Sequence, residues 1–507
     1  VVLIGWLLLI IIITSSRFFA RWLLSSRVTN TNVLIYGAGS AGRQLNNALN
    51  ESTDLNPVAF IDDAPNLHRH SINGLKIYSQ NDLKYLIERK KIKEILIAMP
   101  SISRIRRKEI LQYLEPLPIV VRSVPGLSEL AKGKIKVNDL LEIDLNDLLG
   151  REPVKPNRKL LKVNITKKVV LVTGAGGSIG SELCRQIIKL KPEKIVLYEI
   201  SESSLYVIEQ ELLNINNFDI EVIPVIGSVS DMERMMIILK YYEVDTIYHS
   251  AAYKHVPLVE YNQSQGVLNN TIGTLSAAKA AISCNVKTFV LISTDKAVRP
   301  TNVMGASKRA AELVLQALAD CPHKTCFTMV RFGNVLDSSG SVIPLFKKQI
   351  EKGGPITVTH TDIVRYFMTI PEAVELVIQS GALAEGGEVF VLDMGKPIRI
   401  YDLAVKMIKL SGLQVLDINN SKGDIEIQYT GLRPGEKLYE ELLVEGDFSR
   451  TENKLIMRAK EKMISWDKLE PILNEIKEAA NKNQTEEIYK LLKKLVPEFN
   501  SSYNKSS

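Results

Sequence analysis

The stretch that most constrains this chain is residues 168–182, KVVLVTGAGGSIGSE. The apolar run Val169 to Val172 reads as a buried strand. It breaks into Thr173-Gly174-Ala175-Gly176-Gly177-Ser178-Ile179-Gly180, and a helical pattern of Leu183, Ile187 and Ile188 follows. Strand, glycine-rich turn and helix in that order form the setting that a dinucleotide site requires. Gly174 permits the tight turn. Gly177, flanked by Gly176, Ser178 and Ile179, lets backbone amides approach a diphosphate. Gly180 lets helix and strand pack closely. The anion then meets free N–H groups and the positive end of the helix dipole. The simpler alternative is a plain tight turn between strand and helix.

A second such unit precedes it. Residues 32–42, NVLIYGAGSAG, place Gly37, Gly39 and Gly42 after a strand. Strand-like runs follow at 58–63, 75–79, 92–100 and 117–125, with helical stretches between them. Asp62 lies 20 residues past Gly42, where a ribose-binding acid belongs. From residue 168 the strands recur at 194–199, 220–225, 245–252, 287–294 and 325–332. Strands alternating with helices imply parallel sheets. The expected fold is α/β: two Rossmann-type doubly wound sheets, the second with a smaller substrate-binding subdomain. The expected divisions are a Rossmann-like domain over 30–150, a linker over 151–167, a catalytic domain over 168–450 and a helical segment over 451–507. The first domain either binds a ligand or is a degenerate tether.

The apolar run from Val1 to Ile13 covers about 20 Å as a helix, short of the roughly 30 Å hydrocarbon core. It reads as the end of a transmembrane helix over residues 1–27. Arg17, Arg21 and Arg27, interleaved with Phe18, Phe19 and Trp22, mark a cytoplasmic juxtamembrane segment. The expected location is the bacterial inner membrane, with the remaining chain in the cytoplasm. A buried core helix is the alternative. The net charge of +7 is spread along the chain and gives no argument for nucleic acid. Cys184, Cys284, Cys321 and Cys326 form no paired motif and suit a reducing compartment. No metal-binding signature occurs, so no metal is expected.

Glu199 ends the second strand of the catalytic unit, 19 positions past Gly180. A carboxylate there can take ribose hydroxyls and would repel a 2′-phosphate, which favours NAD over NADP. Ser201 could serve either cofactor. Ser228, followed by Asp231, is placed to meet the adenine. Ala251 and Ala252 let the chain pass close under a cofactor. Lys254 follows as a polar contact, and Asn270 braces this wall. The segment 291–309, LISTDKAVRPTNVMGASKR, delivers Thr294, Asp295 and Lys296 at a strand's carboxyl end.

The spacing T-G-x-x-G-x-x-G resembles the extended short-chain dehydrogenase/reductase superfamily. That superfamily places a tyrosine four residues before an active-site lysine. Here Met304 stands in the tyrosine position before Lys308, and a thioether has no proton to give. With AAYKHVP, STDKAVRPTNVMGASKR, RFGNVLDSSGSVIPLF, RYFMTIPEA and GLRPGEKLYEELL, the chain resembles the membrane-bound nucleotide-sugar 4,6-dehydratases of bacterial polysaccharide and glycan synthesis. The resemblance implies a UDP-N-acetylglucosamine substrate, tightly held NAD (or NADP) and a homo-oligomer. It implies oxidation at C4, loss of water across C5 and C6, and reduction at C6. Lys296 is then the base at C5 and Asp295 the acid at C6, with Thr294 near O4 and Lys308 on the nicotinamide ribose. Arg331, Asn334, Arg365, Arg433 and Glu436 are candidates for the nucleotide half of the substrate. A 4-epimerase and a non-catalytic nucleotide-sensing membrane protein are the rival readings.

Overall fold

The computed structural model describes residues 31–50, 55–100, 102–117, 119–123, 156–215, 220–338, 340–417, 420–441, 448–459 and 461–500, with Trp6, residues 15–17 and residues 141–142. The chain forms two compact units. One comprises residues 1–152 with 350–356 and 404–427, the other 153–349, 357–403 and 428–507.

The first unit is built on seven strands: β1 (Thr31–Tyr36), β2 (Leu55–Ile61), β3 (Ser71–Ile72), β4 (Leu75–Tyr78), β5 (Glu94–Ile97), β6 (Val120–Ser123) and β7 (Leu141–Glu142). Their spatial order is β3-β4-β2-β1-β5-β6-β7. The central pairs are parallel, and β3 and β7 join antiparallel at the edges. Successive side chains of β1 point to opposite faces. Val33 and Ile35 therefore enter one core with Leu45 and Phe60, and Leu34 and Tyr36 another with Ile95 and Ile110. Helix α1 (Ser40–Asn50) follows the first glycine turn. After β2, the Asp62 carboxylate reaches that turn and accepts the Ala38 N–H at 2.7 Å.

The second unit is organised by a nine-stranded sheet. Its strands are β8 (Val169–Thr173), β9 (Lys194–Glu199), β10 (Glu221–Ile226), β11 (Thr246–His249), β12 (Thr288–Ile292), β13 (Cys326–Arg331), β14 (Glu388–Leu392), β15 (Phe448–Arg450) and β16 (Ile456–Ala459). The order is β10-β9-β8-β11-β12-β13-β14-β16-β15. The first seven run parallel, and β16 and β15 close the sheet antiparallel. Pro224, which has no N–H to donate, sits on edge strand β10, where a missing donor costs least. Strands β8 and β12 are buried along their whole length because helices cover both faces. Helices α2 (Ser178–Lys189), α3 (Glu202–Ile215) and α4 (Ile370–Leu383) contribute to one core. Helices α5 (Met232–Tyr241), α6 (Gly273–Ser283), α7 (Val303–Ala319), α8 (Trp466–Asn481) and α9 (Thr485–Leu495) contribute to the other.

Both Rossmann-type sheets expected from the alternation of strands and helices are present. Two features differ. Strands β14, β15 and β16 are not among the expected ones. Part of the proline- and lysine-rich stretch expected as a linker is a helix, Arg158–Val163, capped by Asn157 and burying Leu160 and Leu161. The transmembrane segment expected over residues 1–27 lies outside the described residues, apart from Trp6 and residues 15–17. Among the described residues no helix is long and apolar enough to cross a membrane.

Candidate active site

The glycine turn joins β8 to α2, and its geometry shows why these residues are glycines. Gly174 has φ +63°, and a Cβ on it would lie 2.8 Å from the Ala251 backbone. A Cβ on Gly180 would lie 1.9 Å from the Gly174 carbonyl oxygen. Glu199, at the end of β9, holds the turn from the other side. One oxygen accepts the Gly176 N–H at 3.0 Å, and the other accepts the N–H groups of Ile200 and Ser201 at 2.9 and 3.0 Å. Gly174, Gly176, Gly177, Glu199, Ser228, Ala251 and Ala252 line a cleft of about 220 Å³. An open groove over glycines, ending on a buried carboxylate, fits the adenosine end of a dinucleotide. Ser201 does not reach this cleft, because its hydroxyl bonds with Ser203 and Ser204.

The cleft adjoins a cavity of about 920 Å³ lined by Gly177, Ser178, Ile179, Gly180, Lys254, Thr294, Lys296, Met304, Lys308, Asn334, Arg365, Arg433 and Glu436, among others. Thr294 ends the segment that follows β12 and caps the short turn Asp295–Ala297. Its hydroxyl donates to Asp295 Oδ1 at 2.9 Å. Lys296 Nζ donates to the same oxygen at 3.0 Å and to Asn334 Oδ1 at 3.3 Å. Asp295 is 1% exposed, and its Oδ2 has no hydrogen-bond partner among the described residues. Burial pulls the Lys296 ammonium down, but Asp295 and Glu440 outweigh it and hold the group above the ordinary lysine range.

Helix α7 carries the other half of the site. Asn302 caps it by accepting the Gly305 N–H at 2.8 Å, and Glu260 accepts the Val303 N–H at 2.6 Å. A Cβ on Gly305 would lie 2.2 Å from the Lys296 carbonyl oxygen, so glycine is what lets α7 approach the Lys296 turn. Met304 and Lys308 share the wall of the cavity. Burial pushes the Lys308 amine down to about 8. His249 is buried between Thr173 and Thr274, at 2.9 and 3.2 Å. The Thr274 hydroxyl gives its proton to the Asn270 carbonyl, so His249 Nε2 is the ring donor and Nδ1 accepts from Thr173. Burial, aided by Lys308, lowers this histidine to about 3.

At the far end, Arg365 pairs with Glu436 at 3.0 Å, and Glu436 also accepts the Arg433 N–H at 3.2 Å. Burial lowers the Lys254 ammonium. Two of the candidate residues, Asn270 and Arg331, do not line the cavity. Asn270 is 1% exposed and braces the wall, accepting the Tyr253 N–H and donating to the Tyr253 carbonyl and Ser307. Arg331 is 1% exposed on the sheet face toward α7, where Glu312 and Glu461 take its guanidinium. Its side chain is spent on those carboxylates, so it does not line the cavity.

Among the residues not anticipated, two bear on the chemistry. Asn269, beside the chosen Asn270, lines the nucleotide cleft in a π-helical turn over Leu268–Ile272, a distortion frequent at functional sites. Glu440 lies in the GLRPGEKLYEELL motif and approaches Lys296 at 3.6 Å.

This cleft and sheet define an extended short-chain dehydrogenase/reductase-type protein. Residues 170–461 match the family described as "Polysaccharide biosynthesis protein", and residues 1–125 match one described as "CoA-binding domain". The chain belongs to the polysaccharide biosynthesis protein family. It is 46% identical over 448 residues to "Capsular polysaccharide biosynthesis protein CapD" of Staphylococcus aureus, covering 87% of this chain and 74% of that one. It is 30% identical over 286 residues to "UDP-N-acetylglucosamine 4,6-dehydratase (inverting)" of Campylobacter jejuni, covering 55% and 79%. Similarity to "UDP-glucose 4-epimerase" of Rickettsia bellii is also 30%, over 293 residues, covering 56% and 80%. The solved structure of Pen from Bacillus thuringiensis matches with TM-score 0.53 and 32% identity, covering 62% of this chain and 99% of that one.

Proposed function

We propose that the protein is a UDP-N-acetylglucosamine 4,6-dehydratase with NAD as its resident cofactor, serving surface polysaccharide synthesis. The observation that carries this reading is the Asp295–Lys296 pair, an acid and an amine 3.0 Å apart, with Lys296 on the wall of the larger cavity and Asp295 buried against it. Similarity to CapD supports the polysaccharide context, and similarity to the Campylobacter enzyme supports the reaction. When bound, NAD supplies the two-electron oxidant for C4 and the reductant for C6. With C4 oxidised, the C5 proton is acidic. Proton transfer along the Lys296–Asp295 hydrogen bond leaves an amine and a carboxylic acid. The amine takes the C5 proton, and the acid protonates the departing C6 hydroxyl, which leaves as water. The pair is thereby restored to ammonium and carboxylate. As C6 is reduced, the Lys296 ammonium, exchanged with solvent, gives a proton to C5, and the proton released from O4 on oxidation recharges the amine. Thr294 hydrogen-bonds near O4, Lys308 holds the nicotinamide ribose, and Met304 takes no part in proton transfer. Arg365, Arg433, Asn334 and Lys254 offer donors for the substrate's diphosphate. The apolar start of the chain and the arginines at 17, 21 and 27 support a membrane anchor with both units on the cytoplasmic side.

The test is incubation of the full chain with UDP-N-acetylglucosamine in deuterated water. The expected product is a 4-keto-6-deoxy sugar nucleotide with solvent deuterium at C5, and Lys296→Ala should lose that uptake. A product epimeric at C4 without solvent label would make the protein an epimerase. Bound dinucleotide with no turnover would leave a sensing role.

A further inference from the structure

Lys296 is held by more than its neighbour in sequence. Glu440 Oε1 lies 3.6 Å from Lys296 Nζ and 3.9 Å from Arg365 Nε. The Glu440 side chain is 4% exposed, and its Oε2 has no hydrogen-bond partner among the described residues. A buried carboxylate left half-satisfied is costly unless its charge is used.

The segment that carries Glu440 is fastened to the catalytic turn at several points. The Gly435 carbonyl accepts from Thr301 Oγ1 at 2.8 Å and Asn302 Nδ2 at 3.0 Å. Lys437 Nζ donates to the Val298 carbonyl at 3.0 Å, and Glu441 pairs with Arg299 at 3.2 Å. The Val364 N–H donates to the Leu438 carbonyl at 3.1 Å. These bonds fasten the chain at Gly435, Lys437 and Leu438 before Glu440 and the Glu441 side chain after it, so the carboxylate is aimed by the fold.

We propose that Glu440 is a positioning residue for Lys296, setting its proton affinity and holding its head against Asp295 and Asn334. The charged groups facing Lys296 are Asp295 and Glu440, which favour the ammonium, and Arg365, which opposes it. Asp295 sits on the same turn, whereas Glu440 comes from the 433–441 segment that also carries Arg433 and Glu436 to the cavity. In the dehydratase reading on which this proposal rests, an ammonium forms at Lys296 when it takes the C5 proton. The second carboxylate also stabilises the ammonium that forms.

The test is competitive labelling of Lys296 in the full chain. Trace acetic anhydride is applied across alkaline pH, and Lys296 and Lys254 peptides are quantified by mass spectrometry. Lys296 lines the cavity with its side chain 21% exposed, so reagent can reach it. Glu440→Gln should lower the Lys296 labelling midpoint by about one unit, a tenfold rise in reactivity at a fixed pH below the midpoint. Glu440→Asp should fall between wild type and Glu440→Gln, and it serves alone if Glu440→Gln does not fold. Lys254, in the same cavity, should keep its midpoint. An unmoved Lys296 midpoint overturns the proposal, as does an equal shift of Lys254 and Lys296, which would report a collapsed cavity. The readout needs no turnover, so it stands apart from the deuterium experiment: failure there with a moved midpoint here would sink only the dehydratase reading.

Discussion

Lys308 donates to the backbone carbonyl of Ile292 at 2.6 Å, the last residue of β12 and two positions before Thr294. The hydrogen bond ties α7 to the strand that delivers the catalytic turn. The lysine is 4% exposed, and burial brings its amine down to about 8. An unfolded lysine titrates at about 10.4.

The Lys308 amine therefore binds fewer protons in the folded chain than in the unfolded one between those two values. Below about pH 8 both states are charged and the folded state bears the full desolvation cost, about 3 kcal/mol from the size of the shift. Stability from this group then rises with pH up to about 10.4. Thermal unfolding of the apoprotein should show that rise between pH 8 and 10, and Lys308→Met should lack it while losing turnover. A variant with the same pH slope as wild type would assign the slope to another group.

Beneath the site, Glu312 bonds to Arg331, Arg309 and Ser293. It is fully buried, yet the two guanidiniums override burial and hold its carboxyl at about 2. A carboxylate depressed in the folded state stabilises it above the unfolded value and loses that effect as pH falls from about 4.5 toward 2. Removing one partner of such a network costs about 3–5 kcal/mol, whereas replacing charges by apolar groups of similar size costs far less. Glu312→Gln should be strongly destabilised at pH 7, with the deficit shrinking by pH 3. Glu312→Met combined with Arg331→Met should be less damaging than either alone. Additive losses in a double-mutant cycle measured by thermal unfolding would contradict the coupling.

Both glycine turns, their flanking strands and the acids after the second strands were legible in the sequence because they are local. A β-branched run, a glycine where φ must be positive and a helical period lie within about twenty residues of each other. The Thr294-Asp295-Lys296 turn was legible for the same reason. Arg331 was misjudged because alternation along β13 puts it opposite Glu312 and Glu461, and Glu461 is 130 residues away. Glu440 was passed over because its role depends on a loop meeting a strand end, which no spacing reveals. Strand β14 reads EVFVL, a local signal as clear as that of β12, whereas the four residues of β16, IMRA, are a strand only because they pair with it. Residues 350–356 and 404–427 belong to the first unit for reasons equally remote from their own sequence.

The first unit offers a test of close packing that involves no catalysis. A Cβ on Gly42 would lie 1.9 Å from the Gly37 carbonyl oxygen, backbone that cannot move without opening the turn. A Cβ on Gly39 would meet nothing within 4 Å. Gly42→Ala should destabilise the first unit by at least the roughly 1–3 kcal/mol typical of overpacking. Gly39→Ala should be near neutral. Hydrogen exchange followed by mass spectrometry separates the units: lost protection should be confined to peptides of the first unit in Gly42→Ala. Equal protection in the two variants would mean that the turn relaxes freely.

Glu199 combines two tasks, and substitution should separate them. Its carboxylate braces the glycine turn through the Gly176 N–H, and its negative charge faces the place where a 2′-phosphate would stand in the proposed dinucleotide complex. Two like charges about 4 Å apart at a partly screened site repel by a few kcal/mol, enough for a hundredfold preference. Glu199→Ser should therefore weaken NAD binding by loosening the turn, yet narrow the gap between NAD and NADP by at least tenfold. Glu199→Gln keeps the shape and part of the bracing without the charge, and it should narrow the gap with a smaller loss for NAD. Calorimetric affinities for both dinucleotides in each variant decide the matter. If the two affinities fall together in Glu199→Gln, the carboxylate serves the turn alone and cofactor choice lies elsewhere in the cleft.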